Sequence, residues 1–281
     1  MLDFFAEGEM QVAFDTEYGE DEDREVTMFG VTFKVKQERG SMPVSQGSMV
    51  VGNTLWNSSI ILTKYLEDGA EGTAHEFSAA ACKGKRAIEL GAGCAGLVGL
   101  SLACLGCSHV TITDKAEVLP LLRENVRRFI EAAQALPTNT LPTHCAAISG
   151  NIYVEELDWL DSSQIRAQAG NQGFDLVVGA DISYATSFHA SLLDTTCAVA
   201  APHAYILMAE DLRSPPAHRA FRSMFGLMGF FSVQIIGAPK KLSQCNVLSL
   251  HWQSQAEAIA LRQNMAKGGK LHQLSSSVSD A

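Results

Sequence analysis

The sequence has few basic residues relative to acidic ones. Lysine and arginine together number 21, against 31 aspartate and glutamate residues, so the formal net charge is −10 at pH 7. Proteins that bind nucleic acids usually present a basic face, and this composition therefore argues against a nucleic-acid partner. An acidic surface can attract a basic segment of another protein, although surface charge of this kind also serves solubility alone.

The patterns of a disulfide framework or a metal site are missing as well. The seven cysteines are an odd number spread along the chain, which is typical of free thiols in a reducing compartment. Cys104 and Cys107 form a close pair, but no second pair completes a tetrahedral zinc site. Gly106 lies between them, where a helix is expected to end. The eight histidines form no H-E-x-x-H motif, so we expect no metal.

No stretch predicts a signal peptide or a membrane span. The start of the chain, from Met1 to Glu7, lacks the basic segment that opens a signal peptide. An uncharged run covers 90–107, which is at the lower length limit for a spanning helix. Its first third is rich in glycine, however, and Glu89 adjoins it. We expect a buried helix there, in a cytoplasmic or nuclear protein without a membrane partner.

The stretch 86–104 carries the strongest functional signal in the chain. Residues 86–90 are predicted to form a short buried strand, and Gly91, Gly93 and Gly96 follow at G-x-G-x-x-G spacing. An apolar run then continues as a predicted helix. Glycine lets the backbone turn sharply and approach a ligand, and the start of a helix presents free N–H groups to that ligand. This order of strand, glycine turn and helix indicates a nucleotide-like cofactor.

Two kinds of cofactor fit this motif. A second strand is predicted over 109–113 and ends at Asp114, 18 positions after Gly96, which also matches the fingerprint of NAD-dependent dehydrogenases. Asp114 can accept both hydroxyls of a ribose, or it can be the N-cap or a first-turn acid of the helix that follows. The carboxylate of Glu89 would repel a pyrophosphate, whereas S-adenosylmethionine carries a sulfonium and an ammonium. The residues therefore favour a methyltransferase, with an NAD-dependent oxidoreductase as the alternative.

Strand and helix patterns alternate along the rest of the chain. Apolar and polar residues alternate around Gly30, which predicts a hairpin, and Val177 lies in an apolar run typical of a buried parallel strand. Further predictions are a helix capped by Ser58 or Ser59, a helix with Pro120 in its first turn that ends near Ile130, a third strand over 144–148, a fifth strand over 204–209 and a closing strand pair over 230–236 and 246–252. The pattern predicts an α/β fold.

The domain organisation follows from composition. An acid-rich segment covers 1–25 and is expected to be mobile. No repeat or internal linker divides the chain, so we expect a single domain over 26–252, of which 26–50 forms an N-terminal hairpin region. The remainder, 253–281, is predicted to form a short helix followed by a serine-rich disordered tail.

Five further positions are candidates for ligand contact. Trp56, at a helix entry, can form one wall of a cofactor pocket or simply pack. Asp158 and Trp159 follow a strand, where the indole can stack on an adenine and the acid can accept from its amine. The alternative for that pair is a packing tryptophan beside a surface acid. Asp181 and Tyr184 follow the strongest strand, at the sheet edge where α/β proteins bind ligands, although Asp181 could instead cap the next helix.

Five stretches, taken in order, resemble a known family. They are LWNSS at 55–59, ELGAG at 89–93, TD at 113–114 with LPLL at 119–122 and Asn125, LDW at 157–159, and GADISY at 179–184. The set is similar to the seven-strand protein-lysine methyltransferases (methyltransferase family 16), which include the valosin-containing-protein, Hsp70 and elongation-factor lysine methyltransferases. The resemblance runs from about Gly52 to Trp252, and the order of the stretches makes it specific.

The resemblance implies a fold and a set of roles. The fold would be a Rossmann-like seven-stranded sheet with helices on both faces, an antiparallel last strand and an N-terminal β-hairpin. Asp181 and Tyr184 would form the family's D-x-x-Y motif, which faces the target lysine of a protein substrate. Contacts to S-adenosylmethionine would come from Trp56, Gly91, Ala92, Gly93, Asp114, Trp159 and Ala180. Reasoning from the residues adds Glu89 and Asp158 as cofactor contacts.

The glycine motif departs from the family pattern at one place. The family commonly has G-x-G-x-G-L-x-G, whereas Cys94 and Ala95 put one extra residue before Gly96, so Gly96 is not predicted as a contact. A small-molecule methyltransferase would share the cofactor half and differ in its acceptor. A non-catalytic module with a degenerate site is the other alternative. We expect a monomer, and no pattern identifies the protein substrate.

Overall fold

A computed structural model of the chain describes residues 23–38, 51–70, 77–137, 150–211, 215–227, 231–235, 245–252 and 254–266. The strands are β1 (Arg24–Met28), β2 (Val31–Val35), β3 (Arg86–Leu90), β4 (His109–Asp114), β5 (Ile152–Glu156), β6 (Phe174–Ala180), β7 (Ala200–Asp211), β8 (Phe231–Ile235) and β9 (Cys245–Trp252). The helices are α1 (Asn57–Gly69), α2 (Ala79–Cys82), α3 (Leu97–Cys104), α4 (Leu119–Ala135), α5 (Ser162–Ala169), α6 (His189–Val199), α7 (Pro215–Leu227) and α8 (Gln255–Ala266).

The strands from β3 to β9 form one seven-stranded sheet in the order β5-β4-β3-β6-β7-β9-β8. Neighbours from β5 to β7 pair in parallel, and β9 runs antiparallel to both β7 and β8. The strands β1 and β2 form a separate antiparallel hairpin. This topology confirms the predicted Rossmann-like sheet with its antiparallel last strand and N-terminal hairpin.

Two apolar cores cover the two faces of the sheet. Alternate side chains of a strand point to opposite faces, so Ala87 of β3 belongs to one core and Ile88 and Leu90 belong to the other. The first core receives side chains from α1, α3 and α4, and the second receives them from α5, α6, α7 and α8. Glu89 shares the face of Ala87, which directs its carboxyl toward α3.

The strand order reverses between β3 and β6. The chain leaves β3 toward β4 on one side, while β6 pairs with β3 on the other. The carboxyl ends of β3 and β6 therefore flank a crevice of the kind in which open α/β sheets bind ligands. The glycine turn follows Leu90 at the end of β3, and Asp181 follows Ala180 at the end of β6.

The hairpin packs on α4 and is tied to the glycine turn by Asn125. Phe33 and Phe129 meet edge to face, with ring centroids 5.2 Å apart. The side chain of Asn125 accepts from the N–H of Lys36 and donates to the carbonyls of Lys36 and Cys94, each over 2.8 Å. One buried amide thus joins the hairpin, α4 and the segment before α3.

Three predicted elements differ in detail from the structure. Helix α1 begins at Asn57, and Ser59 donates its hydroxyl proton to the carbonyl of Trp56 over 2.7 Å instead of capping the helix. Helix α4 has Pro120 in its first turn, as predicted, but it continues past Ile130 to Ala135. The strand that pairs with β4 is β5, Ile152–Glu156, whereas the predicted third strand over 144–148 lies outside the described residues.

The structure describes only part of the segments that flank the predicted domain. Residues 1–22 and 267–281 lie outside the described residues, and Arg24 and Glu25 belong to β1. Leu261 of α8 is buried in the second core.

The uncharged run 90–107 comprises the end of β3, a turn, the eight-residue helix α3 and the turn after it. Within the described residues, every helix is too short or too polar to span a membrane.

Candidate active site

A cleft opens at the carboxyl ends of β3 and β6, beside the start of α1. Its walls come from the segment that leads into α1, from the turn after β3 and from the last residue of β6. The lining residues are Thr54, Leu55, Trp56, Ser59, Glu89, Gly91, Ala92, Gly93, Ala95 and Ala180. Six of them are predicted cofactor contacts, namely Trp56, Glu89, Gly91, Ala92, Gly93 and Ala180. The structure therefore brings together residues from three separate stretches of the sequence.

Gly91 and Gly93 adopt left-handed backbone conformations, with φ of +62° and +63°. A Cβ at Gly91 would lie 2.7 Å from Ile182 Cγ2 and 3.1 Å from Trp159 Cζ2. A Cβ at Gly93 would lie 3.2 Å from the carbonyl oxygen of Gly52. Backbone conformation and space both require glycine here, so the turn presents bare backbone to the cleft.

Asp114 ends β4 and holds the glycine turn. Its Oδ2 accepts the N–H of Gly93 and its Oδ1 accepts the N–H of Lys115, each over 2.7 Å. Burial raises the pKa of this carboxyl, and the two N–H bonds oppose that shift. Helix α4 begins at Leu119 with Val118 at its N-cap and no side-chain cap, so the alternative of Asp114 as a helix cap is wrong. Each carboxyl oxygen keeps a second lone pair that can accept from a ligand hydroxyl.

Glu89 is buried beneath the turn, with 1% of its surface exposed. Its Oε2 accepts the N–H of Gly99, in the first turn of α3, over 2.7 Å. Burial raises the pKa of Glu89 from 4.5 to about 8, while N–H bonds from Gly99 and Val98 oppose the shift and the charge of Asp114 adds to it. A cation in the cleft would favour the ionised form of this carboxyl.

The two tryptophans take different positions around the turn. Trp56 lines the cleft, and its Nε1–H donates to the carbonyl of Val51 over 3.0 Å. Trp159 lies outside the lining but packs against the backbone of Gly91. A contact between Trp159 and a cofactor therefore stays a prediction that depends on a ligand reaching past the turn.

Asp158 also lies outside the lining of the cleft. Its Oδ1 accepts the N–H of Leu160 over 2.9 Å, and its Oδ2 lies 3.7 Å from Lys115 Nζ. Lys115 follows β4 and Asp158 follows β5, so the ion pair joins the ends of two neighbouring strands. Exposed pairs of this kind contribute little stability, and contact between Asp158 and an adenine stays a prediction.

Asp181 and Tyr184 stand at the end of β6. Asp181 has φ of +58°, which residues other than glycine rarely adopt, and its N–H donates to the carbonyl of Ala209 in β7 over 2.8 Å. The next α-helix begins at His189, so the alternative of Asp181 as its cap is wrong. Tyr184 is 42% exposed. Burial raises the pKa of Tyr184, and the carboxylates of Asp114 and Asp181 raise it further.

Reasoning from the sequence missed several residues of the site. The missed lining residues are Thr54, Leu55, Ser59 and Ala95. The carbonyl of Gly52 accepts the N–H of Cys94 over 2.6 Å. At Gly99, a Cβ would lie 2.8 Å from Glu89 Oε2. A glycine inside an apolar helix indicates close approach of another group, and Gly99 carried that signal.

Two solved structures are similar to this chain at low sequence identity. A predicted O-methyltransferase from Agrobacterium tumefaciens is 17% identical with a TM-score of 0.46, over 70% of this chain and 81% of that chain. Magnesium protoporphyrin IX methyltransferase from Synechocystis, with bound S-adenosylmethionine, is 12% identical with a TM-score of 0.45, over 77% of this chain and 87% of that chain.

Three other proteins are more similar to this chain in sequence than these two structures are. Protein N-lysine methyltransferase METTL21A of Danio rerio is 32% identical over 184 residues, which is 66% of this chain and 70% of that protein. The mouse protein of that name is 33% identical over 163 residues, or 58% of this chain and 62% of that protein. A protein N-terminal and lysine N-methyltransferase, EFM7 of Yarrowia lipolytica, is 33% identical over 155 residues, or 54% of this chain and 53% of that protein.

These alignments span about half to about two thirds of the relatives' lengths. A family model described as lysine methyltransferase matches residues 43–226. That range contains the glycine turn, Asp114, Asp181 and Tyr184, and so includes both sides of the cleft. The chain belongs to the lysine methyltransferase family.

Proposed function

We propose that the protein is an S-adenosylmethionine-dependent methyltransferase that modifies a lysine side chain of a protein substrate. The observation that carries this proposal is the placement of Asp181 and Tyr184 directly after β6. The last residue of β6, Ala180, lines the same cleft as Gly91 and Gly93. Membership of the family supports lysine as the acceptor.

The chemistry of the cleft fits S-adenosylmethionine better than a dinucleotide. Its described lining contains Glu89 and no lysine or arginine, and the carboxyl of Asp114 adjoins it through Gly93. A pyrophosphate would meet these acids without a compensating cation, whereas a sulfonium and an ammonium are attracted to them. The arrangement therefore favours a methyltransferase over an NAD-dependent oxidoreductase.

Each part of the site has a role in holding such a cofactor. Asp114 has lone pairs for the ribose hydroxyls, Trp56 offers an aromatic wall, and the turn at Gly91 lets backbone approach closely. Bound S-adenosylmethionine supplies a methyl group on a positively charged sulfur, and an amine displaces that sulfur in one step. Glu89 offers a negative charge beneath the turn once its carboxyl ionises.

The acceptor side of the site must bind and orient an uncharged amine. A free lysine side chain has a pKa of about 10.4, so most of it is protonated at neutral pH. A positive charge nearby lowers that pKa, and the oxygens of Asp181 and Tyr184 can accept hydrogen bonds from the amine. Orientation of the reacting atoms supplies much of the rate in such a displacement. The exposure of Tyr184 leaves this side open to a protein substrate.

Calorimetric titration tests the cofactor assignment. S-adenosylmethionine, S-adenosylhomocysteine and NAD are titrated into the purified protein under identical conditions. We expect micromolar binding of the first two and none of NAD. Binding of NAD alone would overturn the proposal.

A labelled-methyl assay tests the acceptor class. The protein is incubated with cell extract and S-adenosylmethionine that carries a tritiated methyl group, and the labelled proteins are hydrolysed to amino acids. We expect the label in methylated lysine. Label in the low-molecular-weight fraction alone would indicate a small-molecule methyltransferase. Cofactor binding without any transfer would indicate a non-catalytic module.

We also propose that the protein acts as a monomer in the cytoplasm or the nucleus. Five of its cysteines are free and buried, namely Cys82, Cys94, Cys104, Cys107 and Cys197, and this supports a reducing compartment. Light scattering of the purified protein tests the first point. Microscopy of the fluorescently tagged chain tests the second.

A further inference from the structure

A buried polar cluster holds the middle of the D-x-x-Y segment, residues 181–184. The hydroxyl of Ser183 donates to Glu210 Oε1 over 3.1 Å and lies 2.9 Å from His218 Nδ1. The carbonyl of Ser183 lies 2.8 Å from His189 Nε2. Ser183 is therefore held by β7, α7 and α6 at once, and none of these four residues lines the cofactor cleft.

The donor and acceptor inventory assigns the protons in this cluster. A carbonyl can only accept, so His189 Nε2 carries a proton and donates it to Ser183. The hydroxyl of Ser183 has a single proton, and it donates that proton to Glu210 Oε1. His218 Nδ1 then carries a proton and donates to the hydroxyl oxygen. The chain of bonds runs from His218 through Ser183 to Glu210.

Two nitrogen atoms of other side chains lie close to the carboxyl of Glu210. Arg222 Nε lies 3.6 Å from its Oε2, and His218 Nδ1 lies 3.7 Å from its Oε1. Glu210, His218 and Ser183 are each 1% exposed. Burying a polar group is costly unless it is hydrogen-bonded, so loss of one partner disturbs the others.

The geometry excludes a hydrolytic triad. In that arrangement the serine and the acid bind opposite nitrogens of the histidine ring, whereas here Ser183 and Glu210 both approach Nδ1 of His218. The burial of Ser183 also keeps its hydroxyl away from any substrate. The cluster therefore acts on its neighbours and not as a nucleophile.

The backbone conformation of Asp181 depends on support from the surrounding structure. Its φ of +58° is a strained conformation that persists only where the surrounding structure enforces it. One constraint is the bond from its N–H to Ala209 in β7, and Ser183, two residues later, supplies a second through Glu210 of the same strand. Tyr184 is the next residue, so the fixed backbone of Ser183 also restricts where the phenol of Tyr184 can lie.

We propose that Ser183, Glu210 and His218, supported by His189 and Arg222, position Asp181 and Tyr184 for methyl transfer. This inference rests on the proposed function. The cluster sets the rate of transfer through the geometry of the D-x-x-Y segment and leaves cofactor affinity unchanged, because its members lie outside the cleft.

Two substitutions test the proposal. Ser183→Ala removes the central hydroxyl, and His218→Leu removes the donor at Nδ1. The assay uses tritiated S-adenosylmethionine with extract protein as the acceptor at fixed concentration. We expect the rate at saturating cofactor to fall by about tenfold to a hundredfold in each variant, the range caused by small misplacement of reacting groups. The half-saturating cofactor concentration and the calorimetric affinity for S-adenosylhomocysteine should stay within about twofold of the wild-type values.

Two controls separate positioning from general destabilisation. Thr196→Ala removes a buried hydroxyl of α6 that donates to the carbonyl of Leu192 over 2.8 Å, and it should leave the rate near the wild-type value. His218→Asn keeps an N–H near the position of Nδ1 and should recover most of the rate lost in His218→Leu. Amide hydrogen exchange at 182–184 should accelerate in Ser183→Ala and not in Thr196→Ala, which keeps the test valid if His218→Leu does not fold.

The outcomes distinguish this inference from the proposed function. A wild-type protein that neither binds the cofactor nor transfers methyl groups contradicts the proposed function itself. An active wild-type protein whose Ser183→Ala variant is as fast as Thr196→Ala contradicts the positioning role alone. Parallel loss of rate and cofactor affinity in Ser183→Ala would also overturn it, because the cluster would then support the whole site.

Discussion

The backbone N–H of Gly93 donates to Asp114 Oδ2 over 2.7 Å, so the glycine turn after β3 is bonded to the end of β4. The same carboxyl accepts the N–H of Lys115. These bonds hold the carboxyl of Asp114 beside the glycine turn before any ligand arrives, and they fix the turn at the same time. A site that is organised in advance loses less conformational entropy on binding.

Substitution of Asp114 should reduce cofactor affinity. Asp114→Ala removes the acceptor for the ribose and the bond to Gly93, and hydrogen bonds to charged groups contribute about 1.5–3 kcal/mol each. We expect affinity for S-adenosylhomocysteine to fall by about tenfold to a hundredfold, with a smaller loss in Asp114→Asn, which keeps one acceptor oxygen. Calorimetry measures both, and unchanged affinity in Asp114→Ala would rule out the ribose contact.

Gly91→Ala should impair folding and binding together. The new Cβ would lie 2.7 Å from Ile182 Cγ2 on a backbone with φ of +62°, and strain of this type costs about 1–3 kcal/mol before the clash is counted. Gly84→Ala is the matched control, because Gly84 has φ of +77° and a Cβ added there would meet no atom within 4 Å. We expect a lower melting temperature in both variants and loss of cofactor binding only in Gly91→Ala. Equal effects would show that the site tolerates a methyl group.

Glu89 should make stability depend on pH in a defined window. Its pKa rises from 4.5 to about 8 on folding, so the folded state binds more protons than the unfolded state between these values. The contribution of Glu89 to stability therefore decreases as pH rises from about 4.5 to about 8. Glu89→Gln removes this titration, and its free energy of unfolding relative to wild type should increase across that window by an amount on the order of 1–4 kcal/mol. Urea denaturation at pH 5 and pH 8.5 measures the difference, and a constant difference would contradict the assignment.

Asp181 and Tyr184 should affect transfer far more than cofactor binding. Asp181→Ala is expected to abolish detectable methyl transfer, because the amine loses a charged acceptor. Asparagine tolerates positive φ, so Asp181→Asn keeps the backbone conformation and isolates the charge, and Tyr184→Phe isolates the phenol oxygen. We expect rates in these two variants to fall by about a hundredfold, with S-adenosylhomocysteine affinity within about threefold of wild type. If affinity falls in parallel with rate, these residues hold the cofactor instead.

Trp159→Ala should weaken cofactor binding before it affects anything else. The indole packs against Gly91, and we predict that a bound adenine reaches it past the glycine turn. A lost aromatic contact costs about 0.5–1.5 kcal/mol beyond the buried area. We expect a roughly tenfold weaker affinity for S-adenosylhomocysteine, with Trp159→Phe intermediate. An unchanged affinity with a lower melting temperature would show that the indole only packs.

The core of the α/β fold could be predicted from local patterns. The strand β3, its glycine turn and α3 lie where the apolar run and the glycine spacing indicated, and Asp114 and Asp181 lie at strand ends as predicted. Hydrophobic periodicity and turn chemistry act over a few residues, so neighbouring positions suffice to predict them. The predicted start of α1 was wrong and β5 was missed, because flanking polar residues do not specify where a helix or a strand begins.

The sequence by itself determined the strand, glycine turn and helix at 86–104 and the identity of the residues that the family resemblance placed at the site. The tertiary structure alone decided how these residues meet. The bond from Gly99 to Glu89 spans 10 positions, and those from Ser183 to Glu210 and His218 span 27 and 35 positions. Such contacts depend on the order of strands across the sheet and on the direction of each buried side chain, and no local pattern encodes either one.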